Sequence, residues 1–508
     1  MANLDKRAQT FNEGVREIQS TIGRYSALSI FTAALSYLYA PAKDDLHQAS
    51  KQPWLIMLMI QWTYLNPLAG LDLHREAITQ SGMLELLQKI LDLTDTGTMP
   101  DEFDDVRLFM RALAFQQFFH QTDNGLYDLA RQRLIFAAVP ENHYYKTKFM
   151  NRTGVSIPSF LNLSFALYAT VKKNGPMIEH SYLFNVCTSI SPPMVDAFLR
   201  LISVNVNDLH RKLTSLDVDG RGPDEYLRQT PFLRFPMVKV KATYWCVSPH
   251  VLARSLGYFI YDFLKRDDPE GFNQPFGKSF EHYVGECFKK SKLSFAKESE
   301  LIKALDGKGK VVDFLVADGD ANVLIDAKGV EMSQSGMTAI KRGTVRRATK
   351  TSLIKAFEQG HEVAARLPQL EASHPVIKHR TTTYLLAVTY KELYIGNGAT
   401  LAAMAGATEL EKIRAAHAED TLIPFENIYF LSIQEFEDLM HLVSEGDIGL
   451  VEALEMAKKA DSDISSHKFT FDLHINTWLQ EKKIERPHPL KIVLKTMLDE
   501  IREIASPG

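Results

Sequence analysis

The sequence predicts a mixed α/β domain that follows a large all-α N-terminal domain and precedes a helical C-terminal segment. From residue 1 to about 265, apolar residues recur mainly at helical spacing. From about 270 to 440, helix-like stretches alternate with short runs rich in β-branched and aromatic residues, which is the pattern of one compact α/β domain. The expected domains are therefore 1–265, 270–440 and 441–508.

The composition is that of a folded protein with an ordinary charge balance. The 508 residues include 58 Lys and Arg against 62 Asp and Glu, and 45% of them are hydrophobic. These values exclude wholesale disorder and a histone-like basic surface. The three cysteines are widely spaced, which indicates neither a disulfide framework nor a structural zinc site and favours a reducing, cytoplasmic location.

No targeting or membrane-spanning segment is expected. The first twenty residues lack the apolar run of a signal peptide. The most apolar segment, residues 54–65, is shorter than the roughly 20 residues that span a bilayer. We therefore predict that this segment is a buried helix.

The N-terminal domain is predicted to be helical from segments such as residues 104–120. From Val106 to Leu113 the apolar residues follow the i, i+3, i+4, i+7 spacing of a helix. The opposite face of this helix is apolar as well, which indicates that other helices enclose it. One short extended segment is an open alternative within residues 231–247.

The α/β domain is predicted to begin after residues 265–277, where charge, proline and glycine interrupt the apolar pattern. Helices are expected at 278–290 and 351–367. The predicted strands are residues 293–297, 310–316, 323–328, 382–389 and 428–433. Residues 396–419 are Ala-rich and predicted to be helical, and residues 434–508 return to helix.

Residues 310–329 are typical of a β-hairpin, because two β-rich runs flank the turn-prone sequence ADGDAN. If the turn centres on Gly319 and Asp320, then Asp313 and Asp326 lie directly opposite each other on adjacent strands. Opposed residues share a face, with Cβ atoms roughly 4.5–5.5 Å apart. Lys328 points to the same face, because side chains alternate along a strand. We therefore expect two carboxylates and an ammonium to converge.

Two carboxylates at that distance repel each other unless a cation lies between them. A divalent metal resolves the repulsion, and Mg²⁺ prefers carboxylate oxygens together with waters and substrate phosphate. The expected cofactor is therefore Mg²⁺ or Mn²⁺, held by Asp313 and Asp326. We assign Lys328 to stabilising the charge on the phosphate and orienting the attacking water.

Asp313, followed by Asp326-Ala327-Lys328 at the end of the next strand, resembles the signature of the PD-(D/E)xK nuclease superfamily. The resemblance covers roughly residues 275–435 and implies a restriction-endonuclease-like core that hydrolyses phosphodiester bonds. It also implies that Glu281, in the sequence FEHYV, is a catalytic metal ligand, with Glu286 as the alternative.

Gln359 is similar to the helix glutamine that many of these nucleases carry after the DxK strand. The sequence departs from the family pattern at two positions. Val363 replaces the Tyr that often follows this Gln, and Val312 replaces the Pro before the first Asp. The first departure weakens the assignment of Gln359.

A run of basic residues without any acid follows the predicted metal site. It comprises Lys341, Arg342, Arg346, Arg347, Lys350 and Lys355. Its position favours contact with a phosphate backbone, which supplies affinity without sequence readout. The alternative is a solvated basic face on a loop and helix.

The expected function is that of a metal-dependent nuclease, an endonuclease ahead of an exonuclease, with DNA ahead of RNA as substrate. By analogy it is a prokaryotic restriction or antiviral effector. The N-terminal domain would then recognise the substrate or regulate cleavage, for example by sensing a protein or phage-derived trigger. A homodimer, a ribonuclease acting on structured RNA such as tRNA, and a catalytically silent nucleic-acid-binding or scaffold protein with this fold are open alternatives.

Overall fold

The computed structural model describes residues 2–42, 44, 51–69, 75–121, 125–217, 220–307, 309–370 and 374–505. The chain forms two compact units. Unit 1 comprises residues 1–102, 112–267 and 490–508, and unit 2 comprises residues 103–111 and 268–489. These bounds differ from the expected domains in two places, because residues 103–111 belong to unit 2 and the expected C-terminal segment is divided at Leu490.

Unit 1 is mainly helical, as predicted. Its described helices are Ala2–Ile22, Ala27–Tyr39, Pro53–Leu65, Gln80–Asp92, Gly125–Gln132, Tyr144–Thr153, Ile157–Asn174, Tyr182–Val186, Pro192–Ile202, Leu209–Leu216, Pro249–Asp267 and Lys491–Ala505. A further helix, Val106–Gln117, begins in unit 2 and ends in unit 1.

The apolar segment at residues 54–65 is a buried helix, which confirms the prediction. Nine residues of helix Pro53–Leu65 are buried, and Trp62 is among the largest side chains of the core. Within the described residues, no single helix is long and apolar enough to cross a membrane, although the helices Tyr144–Thr153 and Ile157–Asn174 pass that test together as a pair bent by 66°.

The prediction of an all-α N-terminal part is wrong in one respect, because unit 1 contains a four-stranded sheet. The sheet has the order β1-β4-β3-β2. Its strands are β1 (Met177–Glu179), β2 (Ser203–Asn205), β3 (Met237–Val240) and β4 (Thr243–Cys246). Only β3 and β4 fall in the segment considered as extended. Each of the other two has three residues, too few to show a period, and pairs with a strand more than thirty positions away.

Unit 2 is a mixed α/β structure built on a six-stranded sheet with the order β5-β6-β7-β8-β10-β9. Its strands are β5 (Ser294–Lys297), β6 (Phe314–Asp318), β7 (Ala321–Lys328), β8 (Thr382–Thr389), β9 (Gly396–Asn397) and β10 (Ile428–Ser432). Strands β5, β6 and β7 are antiparallel neighbours, whereas β7, β8 and β10 run parallel. The five predicted strands are all present, and β9 is an additional one.

The helices of unit 2 pack around this sheet. They are Pro269–Ser291, Glu298–Ala304, Gln334–Met337, Arg342–Thr349, Leu353–Arg366, Gly398–Ala405, Ala407–Arg414, Ile433–Glu445, Leu450–Asp461 and Phe471–Lys482. We call Pro269–Ser291 the Glu281 helix and Leu353–Arg366 the Gln359 helix. The Glu281 helix packs through Phe288, whose ring centroid lies 5.4 Å from that of Phe314 at the start of β6.

The predicted interruption at residues 265–277 is wrong except at one residue. One helix ends at Asp267 and the next begins at Pro269, so only Asp268 lies between them. The Asp268 side chain caps the new helix, since its Oδ1 accepts a hydrogen bond of 3.0 Å from the Gly271 amide. Pro269 occupies the first helical position, where a missing amide hydrogen costs nothing. The polar composition therefore marks a helix start rather than a linker.

Candidate active site

The hairpin of β6 and β7 has the predicted register. Phe314 pairs with Ile325 and Asp318 with Ala321, around a turn at Gly319 and Asp320. One step further along this pairing, Asp313 lies opposite Asp326. The Asp313 Oδ2 atom accepts a hydrogen bond of 2.6 Å from the amide of Ala327, which holds this carboxylate against the end of β7.

Asp326 and Lys328 form a buried ion pair at the end of β7. The Asp326 side chain is 1% exposed, the Lys328 side chain is 13% exposed, and 2.6 Å separates Asp326 Oδ2 from Lys328 Nζ. Strand β7 lies between β6 and β8, which explains the burial of Asp326. Within the described part of the chain, Asp326 Oδ1 is buried and has no hydrogen-bond partner. A buried carboxylate oxygen without a partner is costly and is typical of a site that receives a ligand.

The Gln359 helix brings Gln359 to the same ion pair. Lys328 Nζ donates a hydrogen bond of 2.8 Å to Gln359 Oε1, and Gln359 Nε2 donates one of 2.6 Å to the Val311 carbonyl. Gly360 allows this helix to approach the sheet closely, because a Cβ there would lie 2.8 Å from Leu385 Cδ2. Gln359 therefore fixes the position of the ammonium, a closer connection than its sequence pattern indicated.

Three carboxylates lie together beside this ion pair. One carboxylate oxygen from each of Glu281, Glu298 and Asp313 lies within 4.8 Å of the others. Glu281 extends from the Glu281 helix. Its predicted alternative, Glu286, forms an ion pair with Lys289 on the same helix, and this pairing lowers the pKa of Glu286.

Glu298 was not identified in the sequence. It is the first residue of helix Glu298–Ala304 and directly follows β5. The signal that could have found it is the register of β5 and β6, which was not worked out because the two strands are separated by a helix and a turn.

Burial and mutual repulsion dominate the electrostatics of these carboxylates. Burial, with repulsion from Asp326 next, raises the pKa of Asp313 to about 8, against the opposing effects of the Ala327 amide and Lys328. Burial, followed by repulsion from Glu298, also raises the pKa of Glu281. A divalent cation among these oxygens would reverse both shifts, because it favours the ionised form of each carboxylate.

The basic run divides into two parts. Lys341 Nζ lies 3.1 Å from Asp104 Oδ1, and Arg342 Nη2 lies 3.3 Å from Asp105 Oδ2. The Arg342 amide also donates a hydrogen bond of 2.9 Å to Asp104. Lys341 and Arg342 are thus engaged with two aspartates of unit 2, which sequence reasoning did not pair with them.

The second part of the run is exposed. Arg346 and Arg347 lie on helix Arg342–Thr349, and Lys350 follows its end. Among the described residues, none of these three side chains forms an ion pair, although Arg347 Nη2 donates a hydrogen bond of 3.2 Å to Thr344.

No family model, curated protein or solved structure matches this chain.

Proposed function

We propose that this protein is a metal-dependent nuclease that hydrolyses phosphodiester bonds in DNA. The observation that carries the proposal is the buried Asp326–Lys328 ion pair with Asp313 held beside it at the end of β7. Glu281 and the lysine-bound Gln359 lie at the same place, as the resemblance to the PD-(D/E)xK superfamily implies. By analogy, the biological role would be restriction or antiviral defence.

The donor set fits Mg²⁺ or Mn²⁺. Asp313, Asp326 and Glu281 offer only carboxylate oxygens, which are the ligands that these hard cations prefer. The unpartnered Oδ1 of Asp326 is available to a cation without breaking a hydrogen bond. When bound, the metal would lower the pKa of a water molecule and stabilise negative charge on the phosphate.

Lys328 is suited to a positioning and electrostatic role. Its ammonium has three donors, of which Asp326 and Gln359 take two, so that one remains for the attacking water or a phosphate oxygen. The carboxylate at 2.6 Å favours the charged form of this lysine. Lys328 therefore stabilises charge that develops on the phosphate, and it does not need to act as a base.

Cleavage of defined substrates tests the proposal. The purified protein is incubated with supercoiled plasmid, single-stranded DNA and tRNA, each with Mg²⁺, Mn²⁺ or EDTA. We expect plasmid cleavage that requires the metal. Cleavage of tRNA alone would overturn the assignment to DNA, and the absence of both cleavage and Mn²⁺ binding would overturn the assignment as a nuclease.

Gln359→Ala is expected to lower the rate of plasmid cleavage about 10- to 100-fold, because residues that orient a catalytic group typically contribute this much. The substitution removes the acceptor of the Lys328 ammonium, whereas the Asp326–Lys328 pair remains. Gln369→Ala is the matched control, since Gln369 is exposed and bonds only its own helical turn at Ala365. Equal rates for both variants would contradict a positioning role for Gln359.

Reversing the charge of Arg346, Arg347 and Lys350 to Glu is expected to weaken DNA binding at all sequences. The slope of log affinity against log salt should decrease by about 2 to 3, roughly one for each lost phosphate contact. Fluorescence anisotropy with a labelled duplex measures this in the Asp326→Asn background, in which the DNA stays intact. Lys459→Glu, on a surface helix of unit 2, serves as control. An unchanged salt slope would assign these residues to a solvated face.

A further inference from the structure

We propose that Glu298 is a metal ligand and completes a second cation position, so that the site holds two divalent cations bridged by Asp313. This inference deepens the proposed nuclease function and depends on it. It assigns a role to a residue outside the PD-(D/E)xK pattern.

The register of three strands places Glu298 beside the predicted site. In the pairing of β5 with β6, Lys297 is the partner of Phe314. In the pairing of β6 with β7, Phe314 is the partner of Ile325. One further step along both ladders sets Glu298 and Asp326 on either side of Asp313. The three carboxylates therefore form a row across the ends of three adjacent strands.

The spacing of this row is too wide for one cation to bind all of its members. Adjacent strands lie about 4.8 Å apart, so the backbones of Glu298 and Asp326 are about 10 Å apart. Carboxylate oxygens bind Mg²⁺ at about 2.1 Å, whereas paired catalytic cations lie about 3.5–4 Å from each other. The grouping of Glu298 with Glu281 and Asp313 defines one position. Asp313 and Asp326 define the other.

The second position has its own indication of a missing ligand. Asp326 is buried, and among the described residues its Oδ1 has no hydrogen-bond partner. Asp326 is not one of the three carboxylates whose oxygens lie together, yet its charge acts on both Asp313 and Glu281. A cation bound only by the group around Glu298 would leave this buried oxygen unsatisfied.

Charge balance also favours two cations. Four carboxylates converge here, and the Lys328 ammonium is the cation paired directly with one of them. Lys297 and His282, which also act on Glu281, are exposed to solvent and therefore screened. One divalent ion would leave the cluster with one net negative charge, which repels a phosphodiester. Two divalent ions would leave it positive and able to receive that anion.

Binding of Mn²⁺ to the full-length protein tests this inference without any cleavage. Isothermal titration calorimetry and electron paramagnetic resonance count the bound ions for the wild type, Glu298→Gln and Glu286→Gln. We expect about two ions for the wild type and for Glu286→Gln, and about one for Glu298→Gln. Glu286→Gln is the matched control, because this glutamate is paired with Lys289 instead of lying in the cluster.

The same proteins are then assayed for plasmid cleavage against Mn²⁺ concentration. The Hill coefficient should fall from about two in the wild type to about one in Glu298→Gln, and the maximal rate should fall at least about 10-fold. Thermal melting in EDTA verifies that each variant is folded, and Glu298→Ser provides a second, smaller replacement.

The outcomes separate this inference from the proposed function. A wild type that cleaves DNA while Glu298→Gln and Glu298→Ser keep its ion count and rate overturns the role of Glu298 alone. A wild type that binds one ion and cleaves overturns the second cation position. A wild type that neither binds Mn²⁺ nor cleaves any nucleic acid overturns the nuclease function and this inference together.

Discussion

Asp326→Asn and Lys328→Met are both expected to reduce DNA cleavage at least about 1000-fold, but to change stability in different ways. The asparagine keeps the shape of Asp326 and removes its repulsion of Asp313, while Lys328 retains Gln359 as a partner. The unfolding free energy of the metal-free Asp326→Asn protein should therefore stay within about 1 kcal/mol of the wild type.

Lys328→Met leaves the buried Asp326 carboxylate without its counterion. Breaking a buried pair costs about 3–5 kcal/mol, and the partial exposure of Lys328 places the expected loss near about 2–3 kcal/mol. A divalent cation can replace the missing ammonium, so Mn²⁺ should restore much of this stability, although cleavage stays low. Urea unfolding with EDTA and with Mn²⁺ measures both effects.

Two control substitutions in the same hairpin region accompany these variants. Asp320 lies exposed at the turn, and Lys310 forms an exposed ion pair with Glu358 before β6. Asp320→Asn and Lys310→Met should leave both cleavage and Mn²⁺-dependent stability unchanged. If Asp326→Asn or Lys328→Met cleaved DNA at the wild-type rate, the site would not be catalytic.

The affinity for Mn²⁺ is expected to rise about tenfold per pH unit between pH 6 and 8 and to level off above pH 8. The reason is the raised pKa of Asp313, about 8 in the metal-free protein, since this carboxyl must release its proton before it binds a cation. About one proton should leave for each ion bound at Asp313 in this range. Calorimetry in buffers of different ionisation enthalpy counts the protons.

The same shift sets the pH dependence of stability in EDTA. The folded-state pKa of Asp313 lies above the ordinary aspartate value of 3.8, so between about pH 4 and 8 the folded protein binds a proton that the unfolded chain has released. The contribution of this group to stability therefore falls as pH rises toward 8. Asp313→Asn should remove this slope and bind Mn²⁺ more weakly at every pH. A wild type with pH-independent Mn²⁺ affinity and no proton release would contradict the raised pKa.

The hairpin shows how far local sequence determines a site. Asp313 and Asp326 belong to two strands joined by a tight turn, so turn chemistry and side-chain alternation define their pairing without any distant residue. The predicted register is the observed one. Strand β8 was also predicted at its observed bounds, because its long apolar run suits a strand buried between parallel neighbours.

Gln359 and Glu298 mark where that reasoning ends. The sequence pattern made Gln359 a weak candidate, yet its helix packs on β8 at Gly360 and brings its amide to Lys328. Glu298 shares no motif with the other carboxylates, and its position follows from the pairing of β5 with β6. Both positions depend on how elements pack, which no short window of sequence encodes.

By itself, the sequence determined the mixed α/β character of residues 270–440, the buried helix at residues 54–65 and the convergence of two aspartates with Lys328. These features depend on periodicity and on contacts within one hairpin. Only the tertiary structure decided the second sheet in unit 1, the pairing of Lys341 and Arg342 with Asp104 and Asp105, and the addition of Glu298 to the site. The physical reason is that these contacts join residues distant in the chain, whose approach is set by the packing of whole elements.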